Sequence, residues 1–296
     1  MSMEKHNTLS LLKTKESGSI LTWLTCYDYS LATALNNTEL DMILVGDSGG
    51  MVVLGYADTV PVTMDEMIVL ASSVRRGAPD KFIVGDMPKG SYEVSDEVAV
   101  LNAMRFVKES GCDAVKLEGG TVMAPRIKAI VGAGIPVIGH IGLTPQTSSS
   151  QGGYRVIGRT SSELEQLQMS VEFLTEAGAF AILLEAVPPK IAKKISDTAK
   201  IITFGIGAGK FTHGQLLILH DLLGLYPNFR PKFAKCYIPA VIEQFSLSLS
   251  NSADLTVFGK ETRADGLHEI ARLAVVTFIK EVKEGKFPDD AFSYKD

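Results

Sequence analysis

Met42-Ile-Leu-Val-Gly-Asp47 sets the pattern from which the rest of the chain is read: a short run of apolar, β-forming residues that ends on an ionisable one. The pattern returns at Phe82-Ile-Val-Gly-Asp86, Ala114-Val-Lys-Leu-Glu118, Ile135-Pro-Val-Ile-Gly-His140 and Ala181-Ile-Leu-Leu-Glu185. Such runs do not alternate with polar residues, so they read as strands buried on both faces. Amphipathic helices fall between them. Thr63-x-x-Glu66 and Ser162-x-x-Glu165 read as capping boxes whose helices close at Gly77 and Gly178. Ser95 caps a helix over Asp96 to Ser110 that stops at Gly111. Strand, helix and strand in repetition require crossovers of one hand and hence a parallel sheet. Ile20 to Cys26 supplies a first strand, Ile201 to Gly205 a seventh, and Phe233 to Cys236 an eighth. The sequence therefore predicts an α/β protein of the (β/α)8 barrel class, one domain over residues 1 to 296, with its chemistry at the carboxyl ends of the strands. A polar, Ser-rich stretch at Phe245 to Asp265 reads as a surface insertion before a last helix from about Leu267 to Glu284.

Composition narrows the function classes. The formal net charge of -5 and the absence of any Lys/Arg cluster longer than three residues argue against a nucleic-acid or anionic-membrane surface. Cys26, Cys112 and Cys236 lie far apart, which points to neither a disulfide framework nor a C-x-x-C metal site and fits a reducing, cytoplasmic setting. The first residues carry neither an apolar signal core nor an Arg-rich transit bias, and no stretch reaches membrane-spanning length.

Asp47, Asp86 and Glu118 end the second, third and fourth strands, so three carboxylates are expected to converge. Carboxylates without His or Cys partners suit a hard divalent cation, Mg²⁺ foremost. Against this stands the plainer reading that single acids cap helices or pair with lysines. Lys116 and Glu118 are two apart on one strand and share a face. A lysine in a barrel mouth is costly unless an anion meets it, whether Glu118 or a substrate carboxylate. His140 ends the fifth strand and opens a long loop, Ile141 to Arg159, a candidate lid or binding element in contact with substrate. Glu185 closes the sixth strand among apolar neighbours, a setting expected to raise a carboxyl pKa and make a general base. His220-Asp221 reads as a structural pair. Gly205-Ile-Gly-Ala-Gly209 lacks the sixth glycine of a dinucleotide fingerprint, Lys210 standing there, and reads as a tight turn exposing backbone N–H groups.

Nine motifs, in order, resemble the ketopantoate hydroxymethyltransferase family: Val45-Gly-Asp-Ser-Gly-Gly-Met51, Val74-Arg-Arg-Gly-Ala-Pro79, Gly85-Asp-Met-Pro88, Val115-Lys-Leu-Glu-Gly-Gly120, Gly139-His-Ile-Gly-Leu-Thr-Pro-Gln146, Gly153-Tyr-Arg-Val-Ile-Gly-Arg159, Leu184-Glu-Ala-Val-Pro188, Gly205-Ile-Gly-Ala-Gly209 and Pro231-Lys-Phe-Ala-Lys235. The resemblance covers roughly residues 8 to 240 and resumes at Glu281 to Pro288. It implies a homo-oligomeric barrel, commonly a decamer, with a role in pantothenate biosynthesis. It implies that Asp47, Asp86 and Glu118 hold Mg²⁺, that Ser48, Asp86 and Lys116 hold 3-methyl-2-oxobutanoate, and that Glu185 is the proton acceptor. The co-substrate would be 5,10-methylenetetrahydrofolate, attacked by a Mg²⁺-stabilised enolate. The chain departs from the family at Gly49, where leucine is usual, at Lys89 for phenylalanine, at Phe204 for a smaller residue and at His213 for aspartate. Two alternatives remain: a Mg²⁺-dependent enzyme of the phosphoenolpyruvate mutase and isocitrate lyase type, and a non-catalytic oligomeric barrel.

Overall fold

The computed structural model describes residues 5–243 and 266–295. Eight parallel strands close into a barrel in chain order: β1 Leu21–Thr25, β2 Met42–Val45, β3 Phe82–Asp86, β4 Ala114–Glu118, β5 Val137–Gly142, β6 Ala181–Glu185, β7 Ile202–Ile206 and β8 Gly214–Leu217, with β1 pairing β8. The strands are almost wholly buried, as their unbroken apolar runs require. Helices cover the outside: α1 Thr8–Glu16, α2 Tyr29–Asn36, α3 Gly49–Val52, α4 Met64–Gly77, α5 Asp96–Ser110, α6 Ala124–Gly132, α7 Ser161–Glu176, α8 Pro189–Thr198, α9 Leu219–Leu223 and a C-terminal helix Gly266–Lys283. None of the described helices is long and apolar enough to cross a membrane.

Helix boundaries follow their capping chemistry. Thr63 and Glu66 form the capping box of α4, and Ser95 caps α5, which ends at left-handed Gly111. The box on α7 lies two residues before the expected one, at Thr160 and Glu163. Glu163 wins because its carboxylate also accepts the N–H groups of Gly158 and Arg159 and meets the Arg155 guanidinium, bonds that Glu165 does not make. Burial works against the Glu163 charge, but these donors outweigh it and hold the carboxyl down at about 2.

The eighth strand also differs from expectation. It is Gly214–Leu217, and Phe233 to Cys236 has no place in the sheet. Phe233 instead lays its ring against Gly207, where an added Cβ would stand 2.5 Å from the ring, and against Tyr294. The Gly205–Gly209 turn thus uses the φ of +64° at Gly207 to admit an aromatic ring. Gln215, the polar residue that masks β8 in the sequence, is satisfied by Gly209 O and Thr212 Oγ1. The expected polar insertion at Phe245 to Asp265 lies outside the described residues.

Two family departures are explained by packing. Phe204 stacks against Trp23 at 4.9 Å inside the barrel and is accommodated by Gly214 opposite it in register. His213 accepts the Thr203 backbone N–H at Nδ1, a role open to any acceptor. Burial and the nearby Lys15 push its pKa down to about 4, which keeps it neutral.

Every second strand residue faces the helices, and glycine there brings a helix close. A Cβ at Gly85 would lie 2.3 Å from the Phe106 ring on α5. Gly85→Ala is therefore expected to cost about 1–3 kcal/mol in urea denaturation. Phe106→Leu in the same chain should return part of that loss, and strict additivity of the two changes would show that they do not share the space.

Candidate active site

Register assembles the site before any loop contributes. Asp86 on β3 is the Cα partner of Lys116 on β4, and Glu118 is the partner of His140 on β5. Partners in a parallel pair point the same way, so these four side chains form a ring inside the barrel at its carboxyl end. All four are buried. Lys116 Nζ lies 2.5 Å from Asp86 Oδ1. Burial opposes the Lys116 charge, but Asp86, Glu118 and Asp47 together hold its pKa above the ordinary value.

Asp47 enters from the turn after β2, its backbone N–H donating to Asp86 Oδ2 at 3.2 Å. Burial and the adjacent Asp86 hold the Asp47 carboxyl well above the usual carboxylate range, with Glu118 adding to the effect. Ser48 opens α3 without capping it; its hydroxyl lies 2.8 Å from the Tyr27 hydroxyl. That approach explains Gly49, since a Cβ there would stand 2.7 Å from the Tyr27 ring. Lys89 meets Glu93 at 3.1 Å on the rim, so the charge added at that position is paired locally.

His140 lies between two carboxylates, Nδ1 at 3.3 Å from Glu118 Oε1 and Nε2 at 3.2 Å from Glu185 Oε2. Neither nitrogen makes a well-directed hydrogen bond, so the contact is chiefly one of charge. Burial and Lys116 oppose protonation, yet the two carboxylates prevail and push His140 up to about 9. Glu118 is held below its ordinary range in return: burial opposes its charge, but His140 and Lys116 favour it. Glu185 is more open than its apolar flanks led one to expect, its side chain 15% exposed against 2% for His140 and Glu118.

The loop after β5 covers this ring. Its far end is tied down by Glu163 and by the Ile157 N–H, which donates to Ala186 O beside Glu185. Tyr154 on the loop is 60% exposed and has its phenol held above the ordinary value by burial and by Glu185. Gln146 folds back to both Asp47 and Glu118, with Tyr92 behind it. Neither Gln146 nor Tyr92 was expected as a site residue. Thr144-Pro-Gln146 is visible in the sequence, but nothing local shows that the loop returns across the barrel mouth. His220 and Asp221 sit on α9 without a hydrogen bond between them; His220 packs its ring on Tyr27 at 5.3 Å.

Among the described residues no three His, Cys, Asp or Glu side chains form a preassembled metal cage. Asp86 is turned to Lys116, and Glu118 to His140 and Gln146. The donor set nevertheless fits a hard divalent cation. Three buried acids face one lysine and one histidine, and the strained Asp47 carboxyl is what a cation would relieve. Mg²⁺ takes one or two protein carboxylates and fills its octahedron with water and substrate.

Comparison with known proteins bears on this site. The family model for ketopantoate hydroxymethyltransferase matches residues 5–250. A 3-methyl-2-oxobutanoate hydroxymethyltransferase from Moorella thermoacetica is 47% identical over 281 residues, 95% of this chain and 94% of that protein. One from Heliobacterium modesticaldum is 52% identical over 236 residues, 79% of this chain and 86% of that protein. Among solved structures, a phosphoenolpyruvate phosphomutase from Streptomyces platensis subsp. rosaceus superposes with a TM-score of 0.59 at 15% identity, covering 94% of this chain and 99% of that one. A 2,3-dimethylmalate lyase of the phosphoenolpyruvate mutase and isocitrate lyase superfamily gives 0.57 at 18%, covering 92% and 97%. At such identities the structures share the fold.

In the metal-free protein the His140 ring proton observed by NMR should titrate near 9. A histidine raised above its unfolded value of 6.5 contributes stability that is full below that value and lost as pH rises through about 9. Glu185→Gln should bring the His140 titration down by removing one of the two charges. A midpoint that stays near the ordinary value in the parent, or does not move in the variant, contradicts the bridged arrangement.

Proposed function

The chain belongs to the ketopantoate hydroxymethyltransferase family, and from that membership we propose how its residues carry out the transfer of a hydroxymethyl group from 5,10-methylenetetrahydrofolate to 3-methyl-2-oxobutanoate, the step of pantothenate biosynthesis that yields 2-dehydropantoate. The observation that supports the roles best is the asymmetry of the acids. Asp47, Asp86 and Glu118 are buried, while Glu185 alone stands partly open at the mouth beside them.

Asp47, Asp86 and Glu118 would hold Mg²⁺. When bound, that cation supplies Lewis acidity to the keto oxygen of a 2-oxo acid and so acidifies the proton on C3. Lys116, already poised as an ammonium against Asp86, meets the substrate carboxylate, and the Ser48 hydroxyl, positioned by Tyr27, donates to a substrate oxygen. Glu185 takes the C3 proton. The protonated His140, 3.2 Å from Glu185 Oε2, holds the Glu185 carboxylate in place. The electron pair left at C3 forms the new carbon–carbon bond to the one-carbon unit. As that carbon leaves the two folate nitrogens, one water supplies the hydroxyl and its remaining proton goes to one nitrogen, while the proton taken up by Glu185 goes to the other, giving 2-dehydropantoate and tetrahydrofolate. The loop from Leu143 to Arg159, which begins two residues later than expected because β5 runs on to Gly142, is fastened by Glu163 and limits water at the reacting centre. A cytoplasmic homo-oligomer, a decamer by resemblance, belongs to the same proposal.

Glu185→Gln tests it. The change keeps shape and removes the proton acceptor. Binding of Mg²⁺ and 3-methyl-2-oxobutanoate should stay near that of the parent, while deuterium exchange at C3 in D₂O and product formation fall together by about 10²–10⁴-fold. Exchange at the parental rate would move the base elsewhere, and loss of substrate binding would make Glu185 structural.

A further inference from the structure

Gln146 makes four hydrogen bonds, and every one of them ends on the site or on its support. Its backbone N–H donates to Glu118 Oε2 at 3.0 Å. Its Nε2 donates to Asp47 Oδ2 at 2.9 Å and to the Met87 carbonyl, also at 2.9 Å. Its Oε1 accepts from the Tyr92 hydroxyl at 2.6 Å, and that hydroxyl accepts the Glu118 N–H at 3.3 Å. Gln146 is 3% exposed and Tyr92 1%, so these bonds form out of contact with bulk water.

The arrangement has one workable direction. A side-chain amide carries two donors on nitrogen and only acceptors on oxygen. Turned over, Gln146 would set its oxygen against the Met87 carbonyl, which has no proton to give, and against Asp47, which has none when ionised. The Tyr92 hydroxyl, committed to donating toward Oε1, fixes the orientation shown. One residue therefore ties the end of β2 to the end of β4 and to the Met87 carbonyl beyond β3. It gives each of Asp47 and Glu118 a single donor, on one oxygen of each carboxylate.

We propose that Gln146 is the positioning residue that pre-sets the Asp47 and Glu118 carboxylates for a divalent cation, with Tyr92 fixing the direction of its amide. The inference rests on the metal reading given above. Groups that orient metal ligands in this way typically change cation affinity by about 10–100-fold when removed.

Gln146→Met keeps length and volume but deletes the amide, and Tyr92→Phe keeps the ring but frees the amide to turn. Each purified variant is stripped of metal, its fold checked by circular dichroism, and then titrated with MgCl₂ by calorimetry. Gln146→Met should bind Mg²⁺ about 10–100-fold more weakly than the parent, and Tyr92→Phe should shift the same way by less. Activity lost at low Mg²⁺ should return as Mg²⁺ is raised to saturation, which a general loss of packing would not allow. If Gln146→Met fails to fold, Tyr92→Phe alone decides. Folded variants with parental Mg²⁺ affinity, whatever their melting temperatures, overturn the positioning role while leaving the metal reading intact. A parent that binds no Mg²⁺ overturns both.

Discussion

An imbalance of buried charge governs the carboxyl end of this barrel. Asp47, Asp86 and Glu118 are each nearly inaccessible to water, and Lys116 and His140 are the cations packed among them. Burying an ionised group is costly unless a partner repays its lost hydration. Lys116 does so for Asp86, and His140 does so for Glu118. Asp47 has a glutamine amide as its side-chain partner and stays the least comfortable of the three. Asp47 is thus the buried acid that no cation of the protein pairs directly, the setting proposed above for a divalent cation.

The rest of the molecule serves to keep that arrangement closed. Glycines on the outward side of the strands, such as Gly85 and Gly139, let Phe106 and Leu174 press the helices onto the sheet. The loop after β5 would be free to swing if it hung on its length alone. Glu163 fastens one end through the first turn of α7, and Gln146 fastens the other through the site itself. The same loop therefore carries both the amide that meets Asp47 and the backbone N–H that meets Glu118.

The barrel was legible because its strands are buried on both faces and so carry unbroken apolar runs, which period and length alone identify. The strand-end acids, Lys116, His140 and Glu185 were legible for the same reason: an ionisable residue closing such a run stands out. The eighth strand was not, because it is only four residues long and Gln215 interrupts its apolar run. The α7 cap was misplaced because two Glu residues stand at capping distance from a hydroxyl, and only the fold brings Gly158 and Arg159 to one of them. Phe204, Gly49 and His213 look irregular in a linear comparison and become ordinary once Gly214, Tyr27 and the Thr203 N–H are seen beside them.

By itself, then, the sequence determined the parallel barrel and the acids that gather at the carboxyl ends of its strands, because periodicity and strand-end position are properties of neighbouring residues. Tertiary structure alone decided which acid meets which cation, that Glu185 is the open one, and that Gln146 and Tyr92 join the site. Those outcomes depend on strand register and on a loop that crosses back over the mouth, bringing Gln146 to Asp47 across 99 positions of chain. No local pattern encodes a contact of that range.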